Sequence, residues 1–233
     1  MQPKIEQYLL AGGYPTMTRE LHTLESELAP DEMRLLLSCV HEQQLNGKHL
    51  EIGTAAGGTL KRLMLSYPED SRPSFVSVDT MTYYNDQYQV IRRNLLDAGL
   101  NPDEVDFRQM RSTDALRLAK SSDERFSFIF IDASHKISHV TEDIGWAKLL
   151  MPGGILCFHD YSAMHPGVVS AVNRFRTKCP EYSVLGQSGS LIVFRKLRRA
   201  SCNEVGAVDL MRAYFIAFAS QTAGSLLKRV AIK

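Results

Sequence analysis

Two histidine-and-aspartate groups carry the most reactive side chains of this sequence. One is Asp132-Ala133-Ser134-His135, the other His159-Asp160, and each directly follows a short apolar run. Imidazole titrates near neutrality, so a histidine in such a place can take a proton from a substrate hydroxyl while a carboxylate orients its ring. Asp132, His159 and Asp160 are also donor types that hold a divalent cation. A plainer reading stands beside these, in which His159 satisfies a backbone group and Asp160 caps a turn. A third group is Glu51-Ile52-Gly53-Thr54-Ala55-Ala56-Gly57, whose glycines can accept positive φ and let a ligand approach the backbone. Asp79 ends another apolar run, where a carboxylate could accept bonds from both ribose hydroxyls of an adenosine, or could cap the next helix together with Thr80.

Such groups need a sheet to bring them to one edge. From residue 48 onward, short apolar runs alternate with amphipathic segments, which is the pattern of a parallel sheet covered on both faces. The expected strands are 49–52, 75–78, 105–108, 126–131, 154–158, 182–185 and 191–195, with helices near 58–67, 86–99, 113–120, 139–150 and 166–178. Only Gly186-Gln187-Ser188-Gly189 separates the last two strands, so they form a hairpin and one must run antiparallel to its neighbour. The fold class is therefore α/β: a Rossmann-like, doubly wound, seven-stranded and mostly parallel sheet with an antiparallel terminal hairpin. Three segments are expected: a helical flap over 1–47, a core over 48–196 and a helical extension over 197–233. In the flap, Gly12-Gly13-Tyr14-Pro15 signals a turn and Pro30-Asp31-Glu32 the start of a helix. In the extension, Lys196, Arg198 and Arg199 form a basic connector, and 205–230 reads as one helix, apolar nearly all round, that must bury both sides. It packs on its own domain, makes a homodimer contact, or anchors at an interface with help from Lys228, Arg229 and Lys233.

Composition narrows the classes. The chain has 233 residues, 44% apolar and 23% charged, with a net charge of +1, which fits one large globular domain and gives no electrostatic case for nucleic acid. Cys39, Cys157, Cys179 and Cys202 form no C-x-x-C pair, against a zinc site or a disulfide framework. No run approaches the roughly 18 apolar residues of a transmembrane span, and Met1 to Glu6 lacks the apolar core of a signal peptide, so a cytoplasmic location is expected.

The pattern Glu51-x-Gly53-x-Ala55-x-Gly57 closely resembles motif I of the class I S-adenosylmethionine-dependent methyltransferases, with alanine in place of the middle glycine. The segments Ile131-Asp132-Ala133-Ser134-His135, Leu150-Met151-Pro152-Gly153-Gly154, Phe158-His159-Asp160-Tyr161 and His165-Pro166-Gly167-Val168 resemble small-molecule O-methyltransferases, including sugar, natural-product and catechol-type enzymes. The resemblance spans about residues 48–195. It implies that Glu51, Gly53, Thr54, Ala55, Gly57, Asp79, Thr80 and Asp132 bind S-adenosylmethionine, with Ser112 and Thr113 beside the adenine and Asp114 a neighbour or a helix cap. His135 is the expected base for a small-molecule hydroxyl acceptor, with Asp132 and Asp160 orienting it or holding a metal. In the metal-dependent relatives an acid-amide pair follows strand five; here His159-Asp160 stands there, so Mg²⁺ or Mn²⁺ at Asp132, His159 and Asp160 is an open expectation. The aromatic stretch Tyr83 to Tyr88, the amino-terminal flap and Tyr161 to His165 are expected to roof the crevice. An NAD-dependent oxidoreductase is disfavoured because the loop lacks G-x-G-x-x-G spacing and the sheet closes in a hairpin; a non-catalytic scaffold is the other rival.

Overall fold

The computed structural model describes residues 25–42, 45–83, 85–197 and 206–230. The Gly12 to Pro15 turn, Tyr84, Arg198, Arg199, Cys202 and Lys233, and the side chains of Lys228 and Arg229, lie outside the described residues. The strands are β1 (Lys48–Ile52), β2 (Phe75–Asp79), β3 (Val105–Gln109), β4 (Phe126–Ile131), β5 (Leu150–Phe158), β6 (Tyr182–Ser188) and β7 (Leu191–Lys196). They form one sheet in the order β3-β2-β1-β4-β5-β7-β6, in which β7 runs antiparallel to both its neighbours. The chain steps outward from β1 to β3, then crosses back to place β4 on the other side of β1. Their carboxyl ends thus open a crevice at a topological switch point.

The helices are α1 (Pro30–Glu42), α2 (Gly58–Leu65), α3 (Gln87–Asp97), α4 (Ser112–Ser121), α5 (Ile137–Asp143), α6 (Pro166–Lys178) and α7 (Ala207–Val230). They cover both faces because the central strands are apolar on both. In β4, Phe128 and Phe130 join Leu36, Leu60, Leu63 and Ile91 on one side, while Phe126, Ile129 and Ile131 join Trp146, Val172 and Phe175 on the other. Each such side chain contributes about 2 kcal/mol on burial, so β4, buried at all six residues, is firmly held from both faces. Its one polar residue, Ser127, is fully buried and donates its hydroxyl to the Gly47 carbonyl at 2.9 Å.

Five expectations needed correction. The helix expected over 139–150 begins at Ile137, ends at Asp143 and continues as a tighter 3₁₀ stretch, Ile144–Leu149. Strand β5 starts at Leu150 rather than Gly154, because an irregularity in its pairing lets Leu150 face Phe126 before Ile155 faces Phe128. Strand β6 continues to Ser188, which shortens the hairpin turn to Gly189 and Ser190. Lys196 is no connector: it closes β7, 3% exposed, with its ammonium donating to the carbonyls of Ala147 and Leu150 at 3.1 and 2.9 Å. Helix α7 does not bury both sides within this chain. Its Ala213 and Asp209 face inward near α5 and α6, whereas Val208, Met211, Phe215 and Phe218 are 64–72% exposed.

The crevice depends on one close approach. Gly53 sits at φ 83, and a Cβ there would lie 2.1 Å from the Asp132 carbonyl oxygen. Gly53→Ala is therefore expected to lower folding stability by about 2 kcal/mol or more, read as a shift of the urea midpoint at unchanged m-value.

Candidate active site

A crevice of about 880 Å³ opens over the carboxyl ends of β1, β2, β4 and β5, within the range of ligand pockets. Glu51, Gly53, Thr54, Ala55, Asp79, Thr80, Ser112, Thr113, Asp132, His135 and Asp160 all line it. Two expected residues do not. Gly57 lies behind the wall as the residue before α2, at φ 81, and the His159 ring is tucked beneath the floor with 9% of its side chain exposed.

The glycine turn is braced from β2. Asp79 accepts from the Thr54 N–H at 2.8 Å through Oδ2 and from the Met81 N–H at 2.7 Å through Oδ1. It caps no helix, since α3 begins only at Gln87, and each oxygen keeps a further lone pair for a ligand hydroxyl. Thr54 bonds Ser77 by its hydroxyl at 2.5 Å. Ala55, where the resembling motif has glycine, adopts φ 45, and its carbonyl accepts from Gln87 Nε2 at 3.1 Å. A small residue held in the left-handed region by a neighbour's bond is a local strain of a kind that collects at binding loops.

Below the other wall, the two His/Asp groups meet. His135 Nε2 lies 2.7 Å from Asp160 Oδ2, and His165 Nε2 lies 3.5 Å from Asp160 Oδ1, with the two imidazole rings 4.0 Å apart. Asp160 holds φ 57 at the tip of β5. A Cβ on Gly167 would fall 2.3 Å from the His135 carbonyl oxygen, so the loop after β4 reaches the start of α6 because residue 167 has no side chain. Asp132 turns instead to His159, whose Nδ1 is 3.2 Å from Asp132 Oδ1 and whose Nε2 is 3.3 Å from Glu32 Oε2. The orienting partner of His135 is thus Asp160 and not Asp132. Ligand-competent atoms lie within 4.8 Å of one another in two sets, Asp132 with His159 and Asp160, and His135 with Asp160 and His165.

Burial and charge shape these groups. Burial would hold the His159 ring neutral, but the bond to Asp132 and the charges of Asp132, Asp160 and Glu32 outweigh it and raise its pKa to about 9. Burial raises Glu51 to about 8 against the bond from Thr54, with the charges of Asp132 and Asp79 adding to the rise, and its Oε2 is buried without a hydrogen-bond partner. Asp143 is pushed up to about 7 by burial, against a bond to Ser112.

The roof differs from expectation. Tyr83 and the flap residues Glu25, Ser26 and Glu27 line the crevice, but Tyr88 packs edge-on against Phe107 at 5.4 Å and Tyr161 donates to Asn173 on α6 at 2.8 Å. Glu32, Glu142 and Asp143 were not singled out from the sequence as site residues, and His165, expected in the roof, lines the crevice beside His135. A carboxylate just after Pro30 reads as an ordinary first-turn acid, and nothing local signals a partner 127 residues away. Asp143 offers a pH test. Its folded pKa lies above the unfolded value near 4, so its contribution to stability is complete below pH 4 and is lost as pH rises through about 7. Asp143→Asn is expected to remove that loss and to be more stable than the parent at pH 8 by about 2–4 kcal/mol, with little difference at pH 4, by urea unfolding across the range.

Comparison with known proteins agrees with this geometry. No curated protein matches the chain. Among solved structures it resembles an O-methyltransferase from Bacillus cereus in complex with SAH, at 23% identity over 73% of this chain and 83% of that one, with a TM-score of 0.57. It also resembles TomG from Streptomyces achromogenes, an O-methyltransferase of tomaymycin synthesis in complex with SAM, at 17% identity over 73% and 82% of the two chains and a TM-score of 0.58. A third is CalS11, a TDP-rhamnose 3′-O-methyltransferase of calicheamicin biosynthesis, at 16% identity over 70% and 76% and a TM-score of 0.54. These likenesses establish the fold. A family model described as a methyltransferase domain matches residues 50–161, the stretch from the core of β1 to the tip of β5 that builds the crevice floor.

Proposed function

We propose that the crevice binds S-adenosylmethionine and that the protein transfers its methyl group to a hydroxyl oxygen of a small molecule, with His135 as the base. The observation that carries this reading is the charge of the walls. Asp79, Asp132 and Asp160 line the crevice with Glu25, Glu27 and Glu142, beside Glu51 and Asp143, whose buried carboxyls hold their protons up to about 8 and about 7, and Arg111 is the one lysine or arginine among the described lining residues. Such a surface complements a cationic sulfonium and amine and repels a pyrophosphate. The seat that a dinucleotide would use is also covered. A phosphate settles on the amino terminus of the helix after the glycine turn, but here the backbone of Glu25 passes 2.3 Å from the place of a Gly58 Cβ, and Ser26 bonds Thr59 at 2.7 Å. The buried, unpartnered Glu51 Oε2 is a ready acceptor for a ligand amine, Asp79 for ribose hydroxyls, and Ser112 and Thr113 stand for the adenine end. The SAH and SAM in the Bacillus cereus and Streptomyces achromogenes structures support the same cofactor here.

When bound, S-adenosylmethionine supplies an already electrophilic methyl group, so the residues of this chain have to orient the acceptor and remove its proton. His135 Nε2 lies 2.7 Å from Asp160 Oδ2, and with the ring proton placed on that nitrogen Nδ1 is the basic nitrogen for the acceptor hydroxyl. A carboxylate behind an imidazole fixes its tautomer and steadies the charge it gains. The cation set Asp132, His159 and Asp160 is a poor fit. Both His159 nitrogens face carboxylates, and a ring with a proton on each nitrogen has no lone pair for Mg²⁺ or Mn²⁺. No step is therefore routed through a metal.

The same reading extends to the periphery. Residues 1–47 act as the substrate cap, 48–196 as the catalytic core and 197–233 as an association element. The exposed Val208, Met211, Phe215 and Phe218 recur at three- and four-residue spacing along α7 and suit a homodimer. Among the described residues no helix is long and apolar enough to cross a membrane, and Cys39 and Cys157 are buried free thiols; both fit the cytoplasmic enzyme of this reading.

Calorimetry is expected to show binding of S-adenosylmethionine and none of NAD⁺; the reverse would overturn the reading. His135→Ala should lower kcat by about 10²–10⁴-fold with cofactor affinity unchanged. Turnover in EDTA should match turnover with added Mg²⁺ or Mn²⁺, and a strict metal requirement would return His159 to the ligand set.

A further inference from the structure

On the reading of the crevice as an S-adenosylmethionine site, the turn from Ala55 to Gly57 has to hold one shape, and its sequence does not favour that shape. Ala55 stands at φ 45, a region in which a Cβ is costly and glycine is not. The backbone bond inside the turn, from the Gly57 N–H to the Thr54 carbonyl at 2.7 Å, closes it without engaging the carbonyls of Ala55 and Ala56. Helix α3 engages both. Gln87, Ile91 and Asn94 follow one another at four- and three-residue spacing, so they share one face of the helix, and they are only 1%, 0% and 3% exposed. Gln87 Nε2 donates to the Ala55 carbonyl at 3.1 Å, and Asn94 Nδ2 donates to the Ala56 carbonyl at 2.9 Å. Ile91 fills the place beside Gly57, where a Cβ would meet its Cγ2 at 3.0 Å. Each residue of the turn thus meets one side chain of α3.

The two amides are also fixed in orientation, because donors occupy their oxygens. Gln87 Oε1 accepts from the Tyr83 N–H at 2.8 Å, and Asn94 Oδ1 accepts from the Lys61 ammonium at 3.1 Å. An amide set between a donor and an acceptor cannot flip without placing like against like. Tyr83 belongs to the roof, and the same Lys61 ammonium reaches Glu25 Oε1 of the cap at 3.1 Å.

We propose that Gln87 is a positioning residue for the cofactor turn, which takes over at Ala55 the task of the glycine found in the motif that the turn resembles, with Asn94 holding the next carbonyl in register. The bond favours the left-handed conformation, because at negative φ the Ala55 carbonyl would turn from α3 and lose a buried partner. Released from Gln87, the turn relaxes, and cofactor binding then has to draw on the fraction of molecules in which it is formed. Since the same amide holds the Tyr83 N–H, one side chain sets both the turn and the roof above it.

The test is a double-mutant cycle read by calorimetry with S-adenosylmethionine and S-adenosylhomocysteine. Gln87→Met keeps the length of the side chain and removes both amide groups; it is expected to raise the two dissociation constants about tenfold, the worth of a bond to a buried carbonyl. Made in an Ala55→Gly chain, the same change should raise them by only about twofold, since glycine holds φ 45 unaided. Equal losses in the two backgrounds would mark Gln87 as a packing residue and overturn the proposal, as would an affinity of Gln87→Met within about twofold of the parent. The parent chain gives a check that holds even if Gln87→Met does not fold. By NMR, the Gln87 side-chain N–H that faces Ala55 and the Tyr83 N–H should both exchange slowly with solvent, although Tyr83 is 59% exposed; exchange at the rate of a free peptide overturns the clamp. Failure of the parent to bind S-adenosylmethionine would sink the functional reading instead, while the exchange of these two groups still decides the clamp.

Discussion

The meeting of the β1 turn with the tip of β4 is the contact on which the rest of the crevice depends. Gly53 lets the backbone of the turn lie against the Asp132 carbonyl, and the Asp132 N–H in turn bonds the Ile52 carbonyl at 2.9 Å. That distance fixes how the motif loop, which holds one side of the crevice, stands relative to the Asp132 to His135 loop, which holds the other. Both strands are buried on both faces, so neither can shift without disturbing two apolar layers. The chemistry is thus anchored to the stiffest part of the sheet, and the parts that vary, the cap and the extension, hang from its rim.

Charge is the second constraint. A cavity designed around carboxylates has to manage their mutual repulsion, and this chain does so in three ways. Asp79 is stabilised by two backbone N–H groups. Glu51 and Asp143 are buried deeply enough that their carboxyls hold protons well above the ordinary range. Asp132 faces the buried His159 ring at 3.2 Å. The first and third leave carboxylate acceptors on the walls, and the second leaves carboxyls that hold their protons. An acidic lining with a covered helix amino terminus is the physical distinction between this crevice and the phosphate-binding turn that its glycine loop superficially matches.

The two flanking helices attach to the site by different means. Helix α1 is tied in by a buried carboxylate and by Leu36 and Val40 in the core. Helix α7 is docked by the Arg174 guanidinium on Asp209 at 2.8 Å and by the Tyr214 hydroxyl donating to Glu142, a crevice residue. Its outward face remains apolar. The extension thereby reaches the crevice wall through one polar bond while presenting Met211, Phe215 and Phe218 to the outside.

Much of this was legible in the residues. The apolar runs, the glycine turn, Asp79 and the hairpin after α6 are local signals, because strand period, turn chemistry and helix capping act over a few residues. They were enough to place seven strands, to predict a parallel sheet and to bring Asp132, His135, His159 and Asp160 to one edge. The sequence could not say how those four pair, because pairing depends on sub-ångström placement across strands: Asp160 takes His135, and Asp132 takes His159. Ala55 was an irregularity of a motif until its φ of 45 and its bond to Gln87 gave it a place. The apolar α7 was expected to be buried all round, which its composition implied and its packing refutes for this chain alone. Glu32 was invisible as a site residue, since its partners Asp132-bound His159 and Ser190 are 127 and 158 residues away. Local chemistry determined which elements form and which edge is reactive; only the tertiary structure decided which charges meet there, because those contacts arise from folding distant segments onto one another.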